Sequence, residues 1–228
     1  DPAAAPRHAA RGRGLYRLPL RAGRVGRAGA PPFPMDPSNA LRERALDLLR
    51  RGERFVLTGH VRPDGDCIGA EAALARVLEK LGKTVFAVSP DPIPEQFDYL
   101  TREVAFRPMG TGRGELPRHD VAVLLDFCEL ERTGPMAEPL ARAPSKKLVV
   151  DHHVFEGQPW WDAAYVDPTA SATGLLVARI ARELGVALDA TAAAGVFTSI
   201  VADTGWFKYP NTDAETFAVA SDLVRAGC

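Results

Sequence analysis

Two hydrophobic periods alternate along the chain from residue 41 onward. Residues 40–49 repeat apolar positions every three to four residues, as a helix does, and 70–81 do so again up to Gly82, which suits a helix C-terminus. Around them lie short, nearly continuous apolar runs at 55–58, 84–88, 121–125 and 148–150. Such runs are expected of strands buried on both faces of a parallel sheet. Further helical patterns cover about 172–184, 189–202 and 213–225. Strands alternating with helices predict a doubly wound α/β domain, with a mainly parallel sheet and helices on both faces.

The polar residues that interrupt this pattern fall at strand ends. The run 55–58 leads into Gly59-His60, 121–125 into Asp126, and 148–150 into Asp151-His152-His153. Asp203 closes the apolar helix of residues 192–202. In sheets of this kind ligands bind at the carboxyl ends of the strands, so these groups are expected to converge on one edge. His60-x-x-x-Asp64-x-Asp66 adds two more carboxylates, on an expected turn with Pro63 and Gly65 just before a helix. Any one of these residues, taken alone, reads as a helix cap or a surface side chain. Together they bring three of the five histidines and five acids to one rim.

Composition narrows the partners. With 228 residues, 46% hydrophobic and 25% charged, the chain has the balance of a globular protein, and no apolar run approaches the roughly 18 residues that cross a bilayer. Residues 1–34 hold seven arginines and one aspartate, a net of +6, which leaves 21 basic and 28 acidic residues in 35–228, a net of −7. The leading segment lacks the apolar stretch of a secretory signal. In composition it resembles an organelle transit peptide, but the preferred reading is an over-extended frame or a disordered, flexible tail ahead of Met35, with 35–228 as the functional domain. An acidic body argues against duplex DNA or other long nucleic acid as partner. Three cysteines, Cys67, Cys128 and Cys228, without a Cys-x-x-Cys pair, fit a reducing compartment, so a cytoplasmic location is expected.

Asp64, Asp66, Asp126, Asp151 and Asp203 would repel one another unless protonated or given cations. Two divalent ions held by four of the acids would leave a neutral cluster. Mixed imidazole and carboxylate donors suit manganese, zinc or iron, with manganese the expectation, and a two-metal site activates water for phosphoester hydrolysis.

Four ordered motifs then stand out: His60-Val-Arg-Pro-Asp64-Gly-Asp66-Cys-Ile-Gly69, Asp126 after VAVLL, Asp151-His152-His153, and Val201-Ala-Asp203-Thr-Gly-Trp-Phe-Lys-Tyr-Pro-Asn-Thr212. Over about residues 38–228 the sequence resembles the Asp-His-His (DHH) phosphoesterases. The resemblance implies that His60, Asp64 and Asp126 hold one metal, and that Asp66, Asp126 as bridge, His152 and Asp203 hold the other. It implies that His153 faces the substrate phosphate as hydrogen-bond donor or leaving-group acid, while Asp151 orients the histidines. Single-strand DNA exonucleases of the family lack a His four residues before the first Asp, and its pyrophosphatases have Thr where Gly65 stands. The Pro-Asp-Gly-Asp form, Glu131-Arg132-x-Gly134 and Ser171-Ala-Thr173-Gly174 look like the nano-RNase branch. That branch acts on short oligoribonucleotides, as exonucleases, on adenosine 3′,5′-bisphosphate, or on cyclic dinucleotides. A homodimer is compatible with the resemblance.

Two departures from the family pattern are Leu175, where many relatives carry Glu, read as a packing difference, and the expectation that the family's smaller C-terminal substrate-binding domain lies outside this chain. Arg62, Arg132 and Lys208 are candidates for substrate phosphates. Cys67 and Cys128 read as small buried hydrophobes, Trp160, Trp161 and Trp206 as wall rather than stacking platform, and His8 and His119 as exposed.

Overall fold

A computed structural model describes residues 37–109 and 115–228. The expectations for residues 1–34, including His8, lie outside the described residues. Six strands form one sheet: β1 (Arg54–Thr58), β2 (Thr84–Ser89), β3 (Phe106–Pro108), β4 (Val121–Leu125), β5 (Lys146–Asp151) and β6 (Ala163–Val166), in the order β3-β2-β1-β4-β5-β6. Every neighbouring pair is parallel. The helices are α1 (Pro37–Arg51), α2 (Gly65–Lys80), α3 (Asp98–Thr101), α4 (Ala137–Arg142), α5 (Thr173–Glu183), α6 (Ala190–Asp203) and α7 (Ala214–Arg225). This is the expected doubly wound α/β architecture.

The continuous apolar runs are explained by burial on both faces. Phe55, Leu57, Val121, Val123, Leu125, Leu148 and Val150 join the large core formed with α1, α2, α5 and α6. The residues between them in sequence point the other way: Val56 and Ala122 pack with Met136 and Leu140, and Leu124 and Val149 with Phe127 and Cys128. A side-chain period of two thus divides each strand between two cores. Leu175 is fully buried in the larger one, as a packing role requires.

The chain reverses its direction of growth between β1 and β4, so their carboxyl ends flank a crevice at the switch point. β5 adjoins β4, and its end opens on the same crevice. Close helix packing closes the site from behind. A Cβ on Gly69 of α2 would lie 2.3 Å from the Gly195 carbonyl of α6, and one on Gly195 would lie 2.6 Å from the Gly69 carbonyl. Only glycines allow this approach, and it fixes α6, with Asp203 at its end, beside α2.

Five elements differ from expectation, among them the short helices α3 and α4, which no apolar period announces. α2 starts at Gly65 rather than at 70, because the Asp64 side chain caps it, accepting from the backbone N–H groups of Asp66 and Cys67 at 3.0 and 3.2 Å. Asp66 therefore sits in a helical first turn, not on a free turn. The edge strands β3 and β6 were not expected: the first has three residues and the second begins with two alanines, too short and too weakly β-forming to show in the pattern.

Candidate metal centre

β1, β4 and β5 deliver His60, Asp126 and the triplet 151–153 to one crevice, while α2 brings Asp64 and Asp66 and α6 brings Asp203. Donor atoms of His60, Asp64 and Asp126 lie within 4.8 Å of one another, as do those of Asp66, His152 and Asp203 and those of Asp126, His152 and His153. Asp126 straddles the groups. Its Oδ2 is 3.5 Å from His60 Nε2, and its Oδ1 is 3.7 Å from both His152 Nε2 and His153 Nδ1. Asp126 also has a left-handed backbone, φ 72°, in which its amide donates to the Val150 carbonyl at 3.0 Å. An Asp tolerates that conformation better than most residues, and strain of this kind is held where function needs a side chain re-aimed.

The histidines are set as metal ligands would be. His60 Nδ1 is 2.8 Å from the Val61 carbonyl and His152 Nδ1 is 3.1 Å from the Ala170 carbonyl. A carbonyl can only accept, so each Nδ1 carries the proton and each Nε2 presents a lone pair. The buried Nε2 of His152 has no hydrogen-bond partner, yet Asp203, Asp66 and Asp126 oxygens stand 3.0, 3.3 and 3.7 Å from it. A lone pair facing carboxylates is repulsive unless a cation stands between them. A proton there is the other solution. Burial disfavours the His152 cation, but Asp203 and Asp66 outweigh it and push its pKa up to about 11. Burial, with Asp66, Asp64 and Asp203 around it, holds the Asp126 carboxyl well above its ordinary range. The donor set therefore fits divalent metal.

Asp66 is fully buried and oriented by groups the sequence analysis had not assigned. It accepts from the backbone N–H groups of Thr173 and Gly174 at 2.9 and 3.3 Å and from the Ser199 hydroxyl. Burial works against its ionisation, but His152, Ser199 and Thr173 hold its pKa below the usual value. The Thr173 hydroxyl donates to Asp126 at 3.0 Å. The segment Ser171-Ala-Thr173-Gly174 thus sets two of the candidate ligands from the start of α5, a helix end that favours negative charge.

Of the two histidines Asp151 bonds only His153, accepting from its amide at 3.1 Å and its Nδ1 at 2.8 Å; His152 is oriented by the Ala170 carbonyl instead. The remaining Asp151 oxygen accepts from the Cys128 thiol at 3.0 Å. Cys67 donates in the same way to Glu71 at 3.4 Å. Both thiols are buried as expected, but each serves a carboxyl and is not merely a hydrophobe. Arg132 is exposed; the Asp151 hydrogen bond raises the His153 pKa above its ordinary value, and the Arg132 charge works against that rise. Lys208 and Arg62 are not joined to the cluster by any ion pair among the described residues. Trp206 is 66% exposed and so walls nothing. His119 is half-buried rather than exposed, 2.9 Å from the Ser145 hydroxyl and 2.6 Å from the Pro117 carbonyl.

Residues 54–203 match the DHH family, N-terminal domain. The chain belongs to the DHH family. Curated DHH relatives include the "Bifunctional oligoribonuclease and PAP phosphatase NrnA" of Thermus thermophilus, 34% identical over 77% of this chain and 51% of that protein. The protein of the same name from Bacillus subtilis is 29% identical over 76% of this chain and 53% of its own length. The chain thus spans about half the length of these relatives. Among solved structures, an exopolyphosphatase-related protein from Bacteroides fragilis superposes with a TM-score of 0.71 at 25% identity, covering 83% of this chain and 57% of that one. No helix among the described residues is long and apolar enough to cross a membrane.

Proposed function

We propose that the protein is a manganese-dependent phosphoesterase of short nucleotides, hydrolysing adenosine 3′,5′-bisphosphate or oligoribonucleotides of a few residues. The observation that carries the reading is Asp126, whose two oxygens face two separate groups of imidazole and carboxylate donors. His60, Asp64 and Asp126 would hold one ion, and Asp66, Asp126, His152 and Asp203 the other; the imidazole and carboxylate mixture suits manganese. When bound, two such ions lower the pKa of a shared water and neutralise phosphoryl oxygens during in-line attack.

The chain's own residues supply the rest. Asp151 holds the Nδ1–H of His153, which leaves Nε2 to meet a phosphate oxygen or to protonate the leaving oxygen. His153 is half-exposed, as are Asp64 and, less so, Asp203, and so the cluster is open on their side. Arg132 is exposed, and its guanidinium would steady a second phosphate. The Thermus thermophilus and Bacillus subtilis relatives, named as oligoribonucleases and PAP phosphatases, support the choice of substrate.

The test is product release by the purified chain with manganese, offered adenosine 3′,5′-bisphosphate, a short RNA, a cyclic dinucleotide and pyrophosphate. Phosphate from the first or mononucleotides from the second is expected. Turnover of pyrophosphate with both of those inert would overturn the substrate assignment.

A further inference from the structure

The metal chemistry leaves unused an apolar hollow on the far side of His153. After β5 the chain carries His153, Val154 and Phe155 outward, and Trp160-Trp161 leads it back into β6. The rings of Phe155 and Trp161 meet at 4.9 Å and 57°, and those of Trp160 and Trp161 at 5.9 Å and 75°. Trp160 is pinned by its indole N–H, which donates to the Cys128 carbonyl at 2.8 Å. Trp161 is therefore braced from two sides. With Phe155, Leu41 of α1, Val166 and Pro168 it encloses a cavity of about 280 Å³. Cys128, Ala164, His153 and Val154 complete the lining, and Val154 is 73% exposed.

We propose that this hollow is the nucleobase subsite of the active site, with the base against Trp161 and Phe155 and its phosphate beyond His153 at the metal cluster. The inference rests on the phosphoesterase reading and names where that substrate is gripped. Continuity is the first argument, because His153 belongs both to the cavity and to the group formed with Asp126 and His152. Chemistry is the second. Apart from His153, which is shared with the metal cluster, the lining has aromatic and aliphatic side chains and no Lys, Arg, Asp or Glu, so it accepts a flat ring and gives a phosphate no permanent cation. Aromatic walls hold bases through their π-faces with little regard to sequence, which suits short substrates of mixed composition. The larger cavity between α5 and α7, about 390 Å³, shares no residue with the cluster and is lined in part by Arg179, Arg182 and Asp222. It lacks this continuity.

Equilibrium binding to the whole chain with manganese decides the matter without turnover. The probes are adenosine 5′-monophosphate and ribose 5-phosphate, which differ only in the base. The unsubstituted protein is expected to prefer the adenosine compound by about tenfold or more, the range of one base on an aromatic wall. Val154→Glu, at an exposed position that does not threaten the fold, should shrink that preference to about threefold or less by bringing a charge to the apolar mouth. A preference that survives Val154→Glu intact overturns the subsite, as does adenosine monophosphate binding no better than ribose 5-phosphate. Failure of the phosphoesterase reading would instead appear as absent hydrolysis, which leaves this comparison readable.

Discussion

At the junction of α5 and α7, Arg179 donates to both oxygens of Glu215 at 2.9 and 2.5 Å and to Asp167 at 2.6 Å. At the strand ends five aspartates crowd together, and among the described residues no Lys or Arg pairs with any of them. A guanidinium that matches two carboxylates in a fixed fork is a finished structure. A rim that holds its carboxylates with backbone N–H groups, hydroxyls and the His153 N–H, and turns imidazole lone pairs toward them, is short of positive charge. Glu71 shows a third arrangement. Fully buried beneath the rim, with one oxygen unpartnered, its carboxyl is pushed up to about 8 by desolvation and stays protonated at neutral pH. The same side-chain class is thus paired, neutralised or left charged according to what surrounds it, and only the last arrangement calls for a metal.

The contrast breaks most visibly at Asp126. Asp126→Ala is predicted to lower phosphoester hydrolysis by more than about a hundredfold, since losing an ion should remove several kcal/mol of transition-state stabilisation. The same substitution relieves repulsion, so the metal-free variant should melt no lower than the unsubstituted protein, and manganese should no longer raise its melting temperature. A variant that keeps more than one hundredth of the rate would contradict the bridging role.

Glu71 gives the next largest effect, read as stability against pH. Its carboxyl is raised in the folded state from an ordinary 4.5 to about 8, so between those values the folded chain binds the extra proton and the unfolded chain does not. Stability from this group is full below pH 4.5 and is lost as pH rises toward 8, by an amount on the order of 4 kcal/mol. Denaturant unfolding of Glu71→Gln should lack that fall. An unchanged pH slope would show that the carboxyl is already ionised in the fold.

Arg179→Ala tests the paired region. Asp167 and Glu215 are about one-third exposed, so water screens part of the loss, and about 2 kcal/mol of destabilisation is expected in urea titrations. Manganese affinity measured on the same variant should not change. A drop in affinity would show that the two regions are coupled through α5.

How much of this was legible in the sequence depended on how each group acts. Asp126 and His152 announced themselves because polar residues at the ends of apolar runs cannot belong to the core. His60-x-x-x-Asp64-x-Asp66 was readable as spacing on a turn before a helix, although Asp66 already lies in the first helical turn, because Asp64 serves at once as candidate ligand and helix cap. The holders of Asp66 were hidden. Thr173 and Gly174 act through backbone N–H groups, which carry no residue signature, and Ser199 reaches Asp66 from α6, 133 residues away. β6 was missed for a related reason: its strand character comes from pairing with β5, not from its own alanines.

Cys128 is the smallest of these effects and the sharpest test of how a rim carboxylate is held without a cation. Asp151 is fully buried and satisfied by neutral donors and by His153, with the Cys128 thiol on one oxygen. Burial resists ionisation of Asp151, but His153 and Cys128 together keep its pKa below the usual value. Removing the thiol in Cys128→Ala should cost about 1 kcal/mol of stability, the worth of one hydrogen bond, and reduce turnover severalfold as Asp151 loosens its hold on His153. Cys128→Ser restores a donor of similar size and should recover most of both losses. If the alanine variant melts lower but turns over at the full rate, the His153 amide and ring alone fix Asp151, and the thiol belongs to the core rather than to the site.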